Sequence, residues 1–211
     1  MSNDVTSIHW YDGQLVSGSR LSLPLQDPAL LYGATVFTTL RIYENRLDHP
    51  WTAWQAHVTR TQRSLQAFGW ASPDWDRLQQ GAETLAQTYP VLRVTIFPDG
   101  RGLILGRSLP PNLTTLQTEG AVAWVADSPE YSRPLPGHKT GNYLGCWLAL
   151  QAAKQAGARE AILINSRGEW LETNTGNLWG WADGCWWTPP LTAGILSGVV
   201  RSRILQGLQA Q

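Results

Sequence analysis

The 211 residues are 43% hydrophobic and only 15% charged, with a formal net charge of zero at pH 7. That composition suits a folded globule with a sizeable core and excludes a disordered chain. It leaves no charge excess to draw the protein onto nucleic acid or an anionic membrane, and no apolar run approaches the roughly 20 residues that span a bilayer.

In chain order, His9 to Gly18 reads as two short strands around an Asp12-Gly13 turn. After a proline-containing loop, Ala34 to Tyr43 is rich in β-branched and aromatic residues, and Glu44-Asn45 turns it into a second short strand. Trp54, His57, Val58, Leu65 and Phe68 recur at helical steps within Pro50 to Phe68, and Gly69 follows where a helix-ending glycine belongs. Ser72-Pro73 opens a second helix, as cap and first-turn proline, that runs to about Gln87. Strands are expected at Val91 to Phe97 and Leu103 to Leu105, around an Asp99-Gly100 turn.

The proline-broken stretch 107–115 reads as a linker between an N-terminal α/β domain, 1–106, and a C-terminal one, 116–211. Beyond it come a strand at Ala121 to Ala126, a long loop to Lys139, and an apolar-striped helix from Tyr143 to Ala156. Four short strands follow: Glu160–Ile164, Glu169–Glu172, Asn177–Ala182 and Cys185–Thr188. A helix from Gly198 to Leu208 closes the chain. No Cys/His cluster has zinc-ligand spacing, so no metal is expected. Cys146 and Cys185 sit among apolar neighbours, where reduced thiols are the commoner state. The polar start MSNDVTSIHWYDG has no signal-peptide core, and the chain reads as cytoplasmic.

Only two lysines occur, Lys139 and Lys154; every other fixed cation is an arginine. Lysine differs from arginine in being able to lose its proton and act as a nucleophilic amine. Lys139 lies in the loop GHKTGNY, and there a plain surface residue and a reactive one are equally consistent with the sequence. Glu172, in GEWLETNTGNLW, ends a strand and precedes small residues that let a flat ligand approach the backbone; it is a solvated edge residue or a partner for a ring nitrogen. In GILSGVVRSRIL a glycine-containing loop runs into a helix whose first N–H groups, Val199 and Val200, suit an anion, although Ser197 capping an ordinary helix fits as well. Arg60 and Arg63 stand one turn apart, and either is surface charge or a phosphate clamp.

The order of these pieces is more telling than any one. FTTLR, HVTRTQRSL, HKTGNY, a glutamate 33 residues after the lysine in LETNTGNLW, then GILSGVVR together resemble the class IV aminotransferase family of pyridoxal 5'-phosphate (PLP) enzymes, from about Trp10 to Leu205. FTT in place of the commoner FET resembles 4-amino-4-deoxychorismate lyases of that family. The resemblance implies a two-domain α/β (α+β) fold type IV architecture like that of D-amino acid aminotransferase. It implies PLP held covalently by Lys139, with Glu172 at the pyridine nitrogen and Tyr143 at the ring hydroxyl. Arg60, of the H-x-x-R pattern begun by His57, and the N–H groups of Val199 and Val200 would take the phosphate.

Carried over in the same way, Thr38 is catalytic beside Lys139, and Arg41 faces the substrate. The family's glycine-rich substrate segment is replaced here by FPDGRGLILGR, in which Arg101 is the candidate replacement. The activity implied is release of p-aminobenzoate and pyruvate for folate synthesis, by a homodimer acting on a small molecule without nucleic acid or membrane. The alternatives are a branched-chain or D-amino acid transaminase of the same family, and a non-catalytic relative that binds PLP or a protein.

Overall fold

Asp12 and Gly13 both take positive φ, 46° and 94°, which folds the chain tightly back on itself. In the computed structural model, which describes residues 7–209, this turn joins strands β1 (Ile8–Tyr11) and β2 (Gln14–Ser17). The outermost residues of the two expected domains, 1–6 and 210–211, lie outside the described residues. The chain divides into two compact units: Met1–Pro111 with Lys139–Asn142, and Asn112–His138 with Tyr143–Gln211.

In the first unit, helix α1 (Pro28–Tyr32) lies in the stretch expected as loop. The Asp27 side chain accepts from the Ala29 N–H at 2.9 Å, and proline at the first position needs no N–H partner. Strand β3 (Val36–Arg41) follows. Glu44 and Asn45 turn the chain at φ 52° and 54°, but only into an isolated Tyr43–Arg46 bridge, not the expected second strand. Helix α2 (Trp54–Phe68) starts after Ala53 at φ 54° and ends at Gly69. Helix α3 (Trp75–Ala86) is opened by Asp74, whose carboxylate accepts from the Arg77 N–H at 3.0 Å, not by Ser72. Strands β4 (Val91–Ile96) and β5 (Gly102–Arg107) complete an antiparallel sheet of order β2-β1-β5-β4-β3.

The pleat sorts β3 into two faces. Val36, Thr38 and Leu40, opposite Ile96, Val94 and Leu92, share the face buried against Val58 and Leu65 of α2 and Leu78 and Ala82 of α3. Phe37, Thr39 and Arg41 share the other face with Arg93, which is opposite Thr39. Helix α3 crosses so closely that a Cβ on Gly81 would lie 2.4 Å from the Trp10 ring.

Strand β3 is an edge of this sheet, and residues 139–141 occupy that edge. Phe37 N–H donates to the Lys139 carbonyl at 2.8 Å and Gly141 N–H to the Thr35 carbonyl at 2.7 Å, with a bridge between Val36 and Thr140. A Cβ on Gly141 would lie 2.1 Å from Thr35 Oγ1 and 2.7 Å from the Gly33 carbonyl. The glycine after the lysine is therefore a packing requirement, and it pins the lysine's backbone to β3.

The second unit starts inside the expected linker with helix α4 (Leu113–Glu119). Strand β6 (Ala123–Ala126) passes through a long loop and helix α5 (Leu144–Gln155) to the parallel strand β7 (Glu160–Ile164). Cys146, Ala149 and Ala153 line the buried face of α5 and let it sit close on Ala126, Ala161 and Leu163. Strand β8 (Trp170–Thr173) adds antiparallel to β7. A separate hairpin of β9 (Gly180–Ala182) and β10 (Cys185–Trp187) and helix α6 (Val199–Gln209) follow. Cys146 is buried, Cys185 exposed, and both are free thiols. Among the described residues no helix is long and apolar enough to cross a membrane.

Candidate active site

Lys139 places its Nζ 4.6 Å from the centroid of the Phe37 ring, and the Arg93 guanidinium carbon lies 3.5 Å from the same centroid. Both are cation–π distances. Strand alternation puts the Thr39 side chain on this same face, opposite Arg93. Thr38 faces the other way. It is 3% exposed, with its Oγ1 2.6 Å from His57 Nδ1 and 2.7 Å from an Arg60 guanidinium nitrogen, both on α2. Of the two threonines in FTT, the first belongs to the helix side and the second to the lysine side.

His57 and Arg60 are three residues apart on α2 and so share a face of the helix. Arg60 is half-buried and Arg63 exposed, which separates two arginines that the sequence left equivalent. Burial, and secondarily the Arg60 charge, lower the His57 pKa from 6.5 to about 3. The ring is therefore neutral in the native protein, while in the unfolded chain it gains a proton as the pH falls through about 6.5. Stability contributed by the neutral ring is present above that pH and is lost as the pH drops toward about 3, at up to about 1.4 kcal/mol per pH unit. We predict that His57→Gln flattens this loss. Urea unfolding of the cofactor-free protein from neutral pH to about pH 5 should cost wild type on the order of 1–2 kcal/mol more than the variant; parallel losses would contradict it.

The other sequence candidates of the first unit point elsewhere. Arg41 is exposed, with its guanidinium 4.9 Å from the centroid of Tyr43. Arg101 donates from all three guanidinium nitrogens within the protein: to Asp27 at 2.5 Å, Asp99 at 2.6 Å and Tyr11 at 2.7 Å. The hydrogen bond to Asp27 leads in holding its pKa above the usual arginine value. Arg101 thus ties the residue that caps α1 to the β4–β5 turn.

In the second unit Glu172, opposite Leu163 in the β7–β8 pair, is 5% exposed. Its Oε1 accepts from Arg133 Nε at 3.0 Å. Its Oε2 accepts from the Leu196 N–H at 3.2 Å and from Asn177 Nδ2 at 3.4 Å. Arg133 was not foreseen as a site residue. It also donates to the carbonyls of Pro136 and His138, in the loop that runs directly into Lys139. One buried guanidinium thus holds both the carboxylate and the approach to the lysine.

Asn177 also donates to the Leu196 carbonyl at 2.9 Å, and a Cβ on Gly198 would lie 2.0 Å from Asn177 Oδ1. Gly198 is needed where the chain enters α6. The first helix-type bond there is Ser202 N–H to the Gly198 carbonyl, so the N–H groups of Val199 and Val200 belong to the turn that has no intrahelical acceptor. Arg133, Glu172, Gly194, Ser132 and Leu171 line a cavity of about 600 Å³ in this unit. Tyr143, just before α5, is partly buried against the α5 core. Among the described residues no group of three or more His, Cys, Asp and Glu could hold a metal ion.

The amino-transferase class IV family profile matches residues 35–211. An aminodeoxychorismate lyase of Vibrio harveyi is 27% identical over 205 residues, covering 90% of this chain and 74% of that protein. A branched-chain-amino-acid aminotransferase of Escherichia coli is 24% identical over 221 residues, covering 93% and 71%. A hypothetical aminotransferase from Mycobacterium tuberculosis superposes in its PLP-bound form with a TM-score of 0.79 at 21% identity, over 97% of this chain and 78% of that one. At that identity the likeness is one of fold.

Proposed function

Because the chain belongs to the class IV amino-transferase family, we propose that it is a PLP-dependent lyase that splits 4-amino-4-deoxychorismate into p-aminobenzoate and pyruvate. The donor set suits the cofactor: an amine for its aldehyde, a buried carboxylate for its ring nitrogen, and a cation with helix N–H groups for its phosphate. Gly198 makes room at the entry to α6 for the Asn177 side chain, which donates to Glu172 and to the Leu196 carbonyl. When bound, PLP supplies an electron sink that makes the proton on the amine-bearing carbon removable.

In this reading Lys139 carries the cofactor, then takes that proton on its amine. Glu172, its charge paired with Arg133, keeps a proton on the ring nitrogen. Arg60 and the N–H groups of Val199 and Val200 hold the phosphate, and Tyr143 donates to the ring hydroxyl. Arg93 pairs with a substrate carboxylate. Thr39 donates to the departing enol oxygen as the carbon–oxygen bond breaks, and the ring left behind becomes aromatic. Substrate and the two products balance atom for atom, so no oxidant or amino acceptor is required.

The observation that carries the lyase reading is the Thr39 hydroxyl on the face that bears Phe37, Lys139 and Arg93. Amino transfer moves a proton between two carbons, work a lysine amine does alone; expulsion of an enol is helped by a second donor. We predict that Thr39→Val slows p-aminobenzoate release by roughly 10²-fold, whereas Thr38→Val, on the opposite face, leaves that step intact once cofactor is saturating. Equal p-aminobenzoate and pyruvate from wild type, with this split between the two valine variants, would support the assignment. A Thr39→Val enzyme at full rate would remove its basis. The branched-chain aminotransferases among the relatives favour transamination as the second reading. Conversion of a branched-chain amino acid only when a 2-oxo acid is added would select it.

A further inference from the structure

Thr38 is left without a part in that chemistry, yet it is buried in a three-member chain with His57 and Arg60. An arginine only donates, so Thr38 Oγ1 accepts the 2.7 Å bond from Arg60. The hydroxyl's own hydrogen then needs an acceptor. Among the described contacts of Thr38 the one remaining partner is His57 Nδ1, at 2.6 Å. If Nδ1 carried the ring hydrogen, Oγ1 would accept twice and the hydroxyl hydrogen would be buried with no partner, at the cost of a lost hydrogen bond. The chain therefore runs one way, from Arg60 to Thr38 to His57, with the imidazole hydrogen on Nε2. Successive bonds in one direction polarise and strengthen each other.

From this geometry we infer that Thr38 and His57 are positioning residues that aim the Arg60 guanidinium at the cofactor phosphate. The inference rests on the reading of Arg60 as the phosphate cation. Neither partner is charged at neutral pH, where burial keeps the His57 ring unprotonated. The pair therefore fixes the direction of Arg60 without cancelling the positive charge that a phosphate needs. Sequence also fits: His57 stands three residues before Arg60 on one helix, and Thr38 reaches both from the buried face of β3.

The test compares binding of PLP with that of pyridoxal, which lacks the phosphate, to cofactor-free wild type, Thr38→Val and Thr38→Ser. A residue that aims the phosphate cation matters only for the phosphorylated ligand. Thr38→Val should weaken PLP binding about tenfold and leave pyridoxal binding unchanged, and Thr38→Ser should restore the wild-type preference. Equal weakening toward both ligands, or none toward PLP, would overturn the inference. A wild type with no preference for PLP over pyridoxal would overturn the phosphate reading of Arg60 itself. A second measurement needs only the wild type. Long-range ¹H–¹⁵N spectra of histidine-labelled protein, with the His57 signals identified by their loss in His57→Gln, should show the Nε2–H tautomer; the Nδ1–H tautomer would overturn the directed chain.

Discussion

Alanine in place of Lys139 is expected to abolish turnover, by at least about 10⁴-fold, and to remove the visible absorbance of the PLP-loaded protein. The fold should survive. Its β3-edge bonds run through the Lys139 and Gly141 backbone, which the variant keeps. Lys154→Ala is the control: that residue is exposed in the last turn of α5 and should leave absorbance and rate unchanged. Arginine at 139 is the sharper variant, since it keeps the cation over Phe37 but has no amine to offer. Activity in either Lys139 variant would contradict the assigned role.

The second large effect is at Glu172, where charge and shape can be separated. Glu172→Gln keeps the shape and one acceptor oxygen, enough for Arg133 or for the Leu196 N–H but not both, and removes the charge that favours a protonated ring nitrogen. It should fold, bind PLP and react roughly 10²–10⁴-fold more slowly. Glu172→Ala also leaves Arg133, 5% exposed at its side chain, without its carboxylate. Both variants break this buried ion pair from one side, at about 3–5 kcal/mol; alanine, which leaves no acceptor at all, should lower the urea midpoint further than glutamine does. Unchanged kinetics in the glutamine variant would remove the ring-nitrogen role.

Much of this was legible in the sequence where the signal is local. The Asp12-Gly13 turn and the glycine that ends α2 are fixed by backbone conformations that few other residues adopt. The lysine loop, the glutamate 33 residues on and the glycine before α6 kept their order because each is bound to a turn or a strand end. What was not legible depends on facing. Thr38 and Thr39 are chemically identical neighbours, and only the packing of α2 and α3 on one side of β3 decides which of them meets the lysine's face. Arg93 reads as an ordinary polar residue of a strand until its register places it opposite Thr39.

Arg133 lies six residues before Lys139, but sequence nearness does not show that its guanidinium turns back to Glu172. Arg101 has the opposite history: a substrate candidate by position, it is taken up by Asp27, Asp99 and Tyr11. The short helices α1 and α4 were missed because proline in those stretches reads as a break, although Pro28 stands at the first position of α1 and the prolines of the second stretch end before the Asn112 cap of α4.

Reductive trapping identifies which of the two lysines carries the cofactor. Protein loaded with PLP is reduced with borohydride, digested and mapped by peptide mass. Stoichiometric pyridoxyl modification is expected on the peptide containing Lys139 and none on that containing Lys154. Modification at Lys154, or no modification in protein that binds PLP, would contradict the role assigned to Lys139.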